Sequence, residues 1–321
     1  MSASTTIQKI ISKVPHISWK KDKPFFIRIF IGALLFIATV IVTTAVTYYF
    51  TIRANEEAIK AFNKGGITVE QLTQEVIPDT GYTVDLAWND VGKKLVASGA
   101  IDLQKYQTNY TQEQYKDLLT YVTESKRKEI TITPRNAYFW VNTLWALGLV
   151  QKSDVLGQGI MTKEYPDQIG NFASTAGWTL GTKDAMSLYN STNIVDLSPE
   201  ENQRVSDITG HIYRPCCGNS AAFPDCNHGM AILGLVELMV DQGFSDEAIY
   251  DAALAFNSYW FPQTYIDLAY YFETKQDTIW NKVDPKTVLG LAYSSAQGYS
   301  QIKQEIGTIP GLNSVGGSCG A

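Results

Sequence analysis

Five of the seven histidine and cysteine side chains in this chain fall within eighteen positions: His211, Cys216, Cys217, Cys226 and His228, with only His16 and Cys319 elsewhere. Thiolates and imidazoles gathered in one loop are how a tetrahedral Cys/His metal site reads in a sequence. The spacing is less conventional than the composition. Zinc modules usually offer a C-x2-C pair, in which one turn of backbone brings two sulfurs to the same ion, whereas adjacent side chains point apart in an extended chain. Cys216 and Cys217 are therefore not both expected on one ion. Cys226 and His228 are the first candidate ligands, followed by Cys216 and Cys217. His211, Met230 and the tail residue Cys319 are second-rank candidates for closing the site. Thiolate, imidazole and thioether together favour a soft ion, copper first and zinc second.

Cys226 is followed by Met230 to Val240, a run whose only charged member is Glu237. The run is too short to cross a bilayer and predicts a helix buried on nearly all sides. Pro224-Asp225 before it puts Cys226 at the helix N-terminus, where the dipole and free amides favour a thiolate. Asp225 opposes this with its own charge.

Two families resemble this region. Arg214-Pro215-Cys216-Cys217-Gly218-Asn219, followed by Gly243-Phe244-Ser245-Asp246-Glu247-Ala248-Ile249, is similar to the CcmH-type thiol subunits of cytochrome c maturation. Those small helical domains carry an Arg-Cys-x-x-Cys-x-Asn motif and continue through a helix into a Gly-x-Ser-Asp-Glu-x-Ile turn. The likeness covers about residues 211–262 and implies thiol–disulfide exchange, but vicinal cysteines stand here in place of Cys-x-x-Cys. The Cys216-Cys217-Gly218 run also resembles the exported PCYCGC-motif proteins, which carry cysteines near histidine; that resemblance implies metal handling.

The elements that must hold this loop are mostly helical. Helix-start signals recur at Thr68 with Gln71, Thr111 with Gln114, Thr133-Pro134, Ser198-Pro199 with Glu201, Ser245 with Glu247, and Asp284-Pro285. Val205, Ile208 and Ile212 repeat at helical spacing, as do Ile249, Ala253, Phe256 and Trp260. Only Glu129 to Thr133 reads as a strand. Between Leu149 and Thr192 glycine is frequent and periodicity weak, which suggests a long irregular connection. Trp140, Trp145, Trp178, Tyr259, Trp260, Tyr265, Tyr270 and Tyr271 are read as core aromatics.

Ahead of these elements, Ile29 to Ile52 runs 24 residues without a charge, between Arg28 and Arg53. A bilayer core needs roughly 20 such residues. Six Lys and Arg residues against one acid precede it, which marks the cytoplasmic side. The expected organisation is a cytoplasmic tail (1–28), a transmembrane anchor (29–52), a helical stalk (53–66), a helical subdomain with the Gly-rich connection (67–192) and a helical subdomain with the Cys/His loop (193–321). A single-pass protein of the cytoplasmic membrane follows, mostly α, with an all-helical extracytoplasmic domain and membrane lipid contacting residues 29–52.

Residues 54–321 carry 19 basic and 31 acidic side chains, a formal charge of −12. That disfavours nucleic acid, where clustered Lys and Arg supply the attraction. Walker-type phosphate loops and a Cys-x-x-Cys-His haem motif are absent. No catalytic set is assigned; the one enzymatic chemistry the residues suggest is that of a thiol–disulfide oxidoreductase. Three readings follow. The first is a copper or zinc site for sequestration or delivery, exchanging with an envelope protein. The second is a thiol–disulfide module acting on a partner protein. The third is an envelope protein braced by disulfides such as Cys217–Cys226 and Cys216–Cys319.

Overall fold

The computed structural model describes residues 23–64, 68–125, 129–309 and 312. It is mostly helical and falls into two compact units, Met1–Gly65 and Gly66–Ala321. His16 and Cys319 lie outside the described residues.

Among the described residues the first unit holds one helix, α1 (Lys23–Lys64). Its segment Phe30–Arg53 has a mean hydropathy of 2.3 with no part buried, so the helix is long and apolar enough to cross a membrane; a signal sequence has the same character. Four of its threonine hydroxyls are satisfied within the helix. Thr39, Thr43, Thr44 and Thr51 each donate to the carbonyl four residues back at 2.8 Å, which suits a helix without water around it. Arg53 sits over the Tyr49 ring at 5.6 Å.

The second unit begins with α2 (Val69–Val76), opened by the Thr68/Gln71 capping box. A short antiparallel ribbon pairs β1 (Tyr82–Val84) with β2 (Ile130–Ile132) in the register Tyr82↔Ile132, Thr83↔Thr131, Val84↔Ile130. Only β2 was legible as a strand, because Ile130 and Ile132 alternate into the core while β1 buries a single residue, Val84.

At the centre, α3 (Ala137–Val150) packs along α4 (Asn227–Asp241), and both are buried on almost every side. Glycines let them approach. A Cβ on Gly148 would lie 2.0 Å from the Met230 carbonyl oxygen, and one on Gly234 would lie 2.6 Å from the Leu144 carbonyl oxygen. The Thr133-Pro134 signal does not start α3. Asn136 Oδ1 accepts from the Thr133 amide at 2.7 Å and closes a turn, so the helix begins three residues later than the proline suggests.

Against this pair pack α5 (Pro199–Thr209) and α6 (Asp246–Trp260), while α7 (Pro262–Lys275) packs on α6 and α8 (Ala296–Ile306) on α7. Ser198 and Glu201 form a complete capping box on α5, and the Ser245 hydroxyl caps α6. Asp284-Pro285 opens only a four-residue helix, and Thr111 with Gln114 opens only the 3₁₀ turn Glu113–Tyr115. The Gly-rich stretch is less irregular than its composition suggests. It forms short helices, among them Asp154–Gln158 and Ala185–Leu188, pinned by single polar bonds such as Trp145 Nε1 to the Ser174 carbonyl at 2.7 Å and Trp178 Nε1 to the Ala100 carbonyl at 3.0 Å.

Trp140 and Tyr265 are wholly buried, and Trp145, Trp178, Tyr259, Trp260 and Tyr271 nearly so, which makes them core. Tyr270 is half-buried.

Candidate metal and thiol site

The loop between α5 and α4 is fixed by its backbone. Tyr213 bridges to Ser220, the Ala221 amide donates to the Ile212 carbonyl at 2.8 Å, and the Ala222 amide donates to the Thr209 carbonyl at 3.2 Å. Outside the loop, the Tyr213 amide reaches the Leu289 carbonyl, the Ala296 amide reaches the Cys217 carbonyl and the Ser174 amide reaches the Asp225 carbonyl. These bonds hold the thiols against rigid helices rather than on a free arm.

Cys226 is the N-cap of α4, and its sulfur accepts from the Gly229 amide at 3.4 Å. The sulfur of Cys216 lies 3.3 Å from that of Cys226. A ring nitrogen of His228 joins them, the three ligand atoms all lying within 4.8 Å of one another. Cys217 belongs to a different triad, with Asp225 and Cys226, at the same limit. Each of the vicinal cysteines meets Cys226, but only Cys216 shares a triad with His228. Cys216, Cys217 and Cys226 are all free.

His228 is almost wholly buried and packs its ring 4.4 Å from Phe261 and 5.6 Å from Trp260, centroid to centroid. Its Nδ1 has no hydrogen-bond partner. A buried nitrogen without a partner costs free energy unless something else, such as an ion, takes it up.

Arg214 organises the site, and nothing in the sequence reading assigned it a role. It has no exposed surface. Its Nε donates to Cys226 Sγ at 3.2 Å, Nη1 to the Asn219 carbonyl at 2.9 Å, and Nη2 to the Phe223 carbonyl at 3.0 Å and to Asp225 Oδ1. Asn219 Nδ2 steadies the other Asp225 oxygen at 2.9 Å. The charge of Asp225 is therefore taken up by Arg214, which settles the opposition between Asp225 and the helix dipole at Cys226. Gly229 leaves room for this guanidinium, since a Cβ there would lie 2.5 Å from it. The available signal was a lone arginine beside Pro215 and the thiols, in a stretch with one compensating acid.

Electrostatics divide the thiols. Hydrogen bonds from Cys216 and Cys217, helped by Arg214 and His228, hold the Cys226 pKa well below the usual thiol value against the cost of burial. Cys216 is pushed far up by its hydrogen bonds to Cys217 and Cys226 and by burial. For Cys217, a hydrogen bond from Cys216 pulls down, but Cys226 and burial outweigh it and leave the pKa at about 11. Of the three thiols, Cys226 is the one whose surroundings favour the ionised form.

Of the second-rank candidates, His211 is exposed, with Nδ1 2.8 Å from the Asp207 carbonyl, and stands apart from both triads. Met230 is wholly buried in the core.

The fold and site define a mostly helical protein with a thiol–imidazole–guanidinium cluster at a helix N-terminus. Comparison with known proteins finds no matching family model, no matching curated protein and no matching solved structure.

Proposed function

We propose that this chain is a single-pass protein of the cytoplasmic membrane, with its N-terminus in the cytoplasm, whose extracytoplasmic unit binds a soft transition metal at Cys216, Cys226 and His228 for sequestration or delivery. The topology rests on the length and apolarity of Phe30–Arg53 and on the basic residues before it. One observation carries the metal reading: two sulfurs and one imidazole nitrogen lie within 4.8 Å of one another, and the Nδ1 of that imidazole, His228, has no hydrogen-bond partner. Donors bound at roughly 2.0–2.3 Å to one trigonal or tetrahedral ion lie about 3.3–4 Å apart, so the three atoms need to move by no more than about an ångström.

The donor set favours copper. Structural zinc sites want four protein ligands, and among the described residues the triad has no fourth Cys, His, Asp or Glu within its limit. Two thiolates and an imidazole suit Cu(I), with zinc second. The phenyl and indole rings beside His228 shield the ion from water.

Elemental analysis of the purified full-length protein tests this. Near-stoichiometric copper or zinc that is lost in both Cys226→Ser and His228→Ala is expected; metal-free protein after reconstitution with Cu(I) and Zn(II) under reducing conditions would end the proposal.

A second reading is favoured by the Cys216–Cys226 approach of 3.3 Å and the Cys226 thiolate. In a thiol–disulfide exchange, Cys226 attacks a partner's disulfide, forming a mixed disulfide and releasing one partner thiolate. Cys216, having lost its proton to solvent or to that thiolate, then attacks the Cys226 sulfur, leaving a Cys216–Cys226 disulfide and a reduced partner. A mixed disulfide trapped by Cys216→Ser and unaffected by His228→Ala would favour this reading over metal binding.

A further inference from the structure

Away from the thiols, a cavity of about 250 Å³ opens between α2, α6 and the turn at Trp280. Its walls combine Tyr82, Tyr259 and Trp280 with the carboxylates of Glu75 and Asp251, over an apolar floor that includes Leu254. No lysine or arginine lines it among the described residues, and neither Glu75 nor Asp251 is paired with a base there. Lys286, close in sequence to the lining residue Pro285, lies over the Tyr250 ring at 5.3 Å instead.

The charges that shift the titratable lining groups are negative. Burial and then the Asp251 charge raise the Tyr82 pKa, and burial and then Asp79 push Tyr259 up to about 12. Asp251 is itself raised by partial burial and by Glu247 and Asp284. Three aromatic rings and two uncompensated carboxylates around one small cavity form a receptor for a cation that also has an apolar body. The aromatic rings and the carboxylates attract the positive charge, and apolar lining residues such as Leu254 take the hydrocarbon.

We infer that this cavity binds a small organic ammonium ion. Its volume lies below the roughly 300–1,000 Å³ of drug-sized ligand sites, so the ligand is compact. A hydrated inorganic cation would gain little from the aromatic walls, whereas an alkylammonium presents a weakly hydrated charge to them. The inference is independent of the thiol site, with which the cavity shares no residue.

Choline and its neutral carbon isostere 3,3-dimethyl-1-butanol separate charge from shape. Calorimetric titration of the full-length protein is expected to show choline binding at least about tenfold more tightly than the isostere. The double variant Glu75→Gln/Asp251→Asn, which alters two exposed side chains, is expected to abolish that preference while leaving the circular dichroism melt unchanged. Trp280→Leu is expected to weaken choline by a further factor of about ten. Equal binding of choline and the isostere, or no heat of choline binding up to about 10 mM, would overturn the inference. Retention of the preference in the folded double variant would do the same.

Discussion

Arg214 Nε reaches the Cys226 sulfur at 3.2 Å inside the protein, where the guanidinium has no contact with solvent. A buried cation of this kind is retained only when its donors are spent, and here they go to one thiolate, two carbonyls and the Asp225 carboxylate. The arrangement sets the ionisation of Cys226 and at the same time ties the loop to α4.

Arg214→Ala should therefore have two separable effects. Removing one partner of a buried ion pair typically costs about 3–5 kcal/mol, which urea melts will register. The Cys226 pKa should also rise, because the guanidinium is among the groups that lower it. The pH profile of Cys226 alkylation by iodoacetamide, read by peptide mass spectrometry, should move to higher pH. Arg214→Lys keeps a charge without the planar fork and should recover part of the profile. An unmoved profile in folded Arg214→Lys and Arg214→Ala would mean that Arg214 does not govern the thiolate.

The two vicinal cysteines should behave differently. Cys216 shares a triad with His228, and Cys217 does not. Cys217→Ser is expected to keep metal affinity within about tenfold of the parent, whereas Cys216→Ser should lose at least about a hundredfold in competition with a Cu(I) chelator. Equal losses from the two substitutions would show that sharing a triad with His228 does not decide ligation.

The central crossing gives a stability prediction. At Gly148 and Gly234 the backbones of α3 and α4 occupy the space a methyl group would need. Gly148→Ala should destabilise the protein by about 1–3 kcal/mol or more, despite alanine's better helix propensity. A thermal melt at or above the parent midpoint would contradict this packing.

What the sequence disclosed follows from how local each signal is. The α5 cap was legible because Ser198, Pro199 and Glu201 act on their own backbone, and the burial of α4 was legible from Met230 to Val240 alone. The N-terminal placement of Cys226 came from Pro224-Asp225 before that run. Arg214 was not legible as the hub, since its burial depends on Gly229 and on carbonyls of Asn219 and Phe223 that only the folded loop brings around it. The exposure of His211 was hidden for the same reason: nearness in sequence put it with the thiols, while the end of α5 turns it back toward Asp207. The strand β1 needed its distant partner at Ile130–Ile132 before it could be seen.

Glu237 supplies a prediction about pH. It sits in the middle of α4 with no exposed surface, and neither carboxyl oxygen has a hydrogen-bond partner. Burial raises its pKa well above the usual carboxylate value, offset only in part by the neighbouring Ser153 hydroxyl, which does not complete a bond of normal geometry. The folded protein thus keeps a proton that the unfolded chain releases near pH 4.3. Above that pH the unfolded state binds fewer protons, so stability falls by up to about 1.4 kcal/mol per pH unit until the folded pKa is reached. Glu237→Gln removes the titration. Its stability relative to the parent should therefore climb as the pH is raised from 5 towards the folded pKa of Glu237, within a series run to pH 8 by urea unfolding of both proteins in the same buffers, where the other titrating groups cancel. A difference that stays constant over that range would mean that Glu237 is not held protonated in the fold.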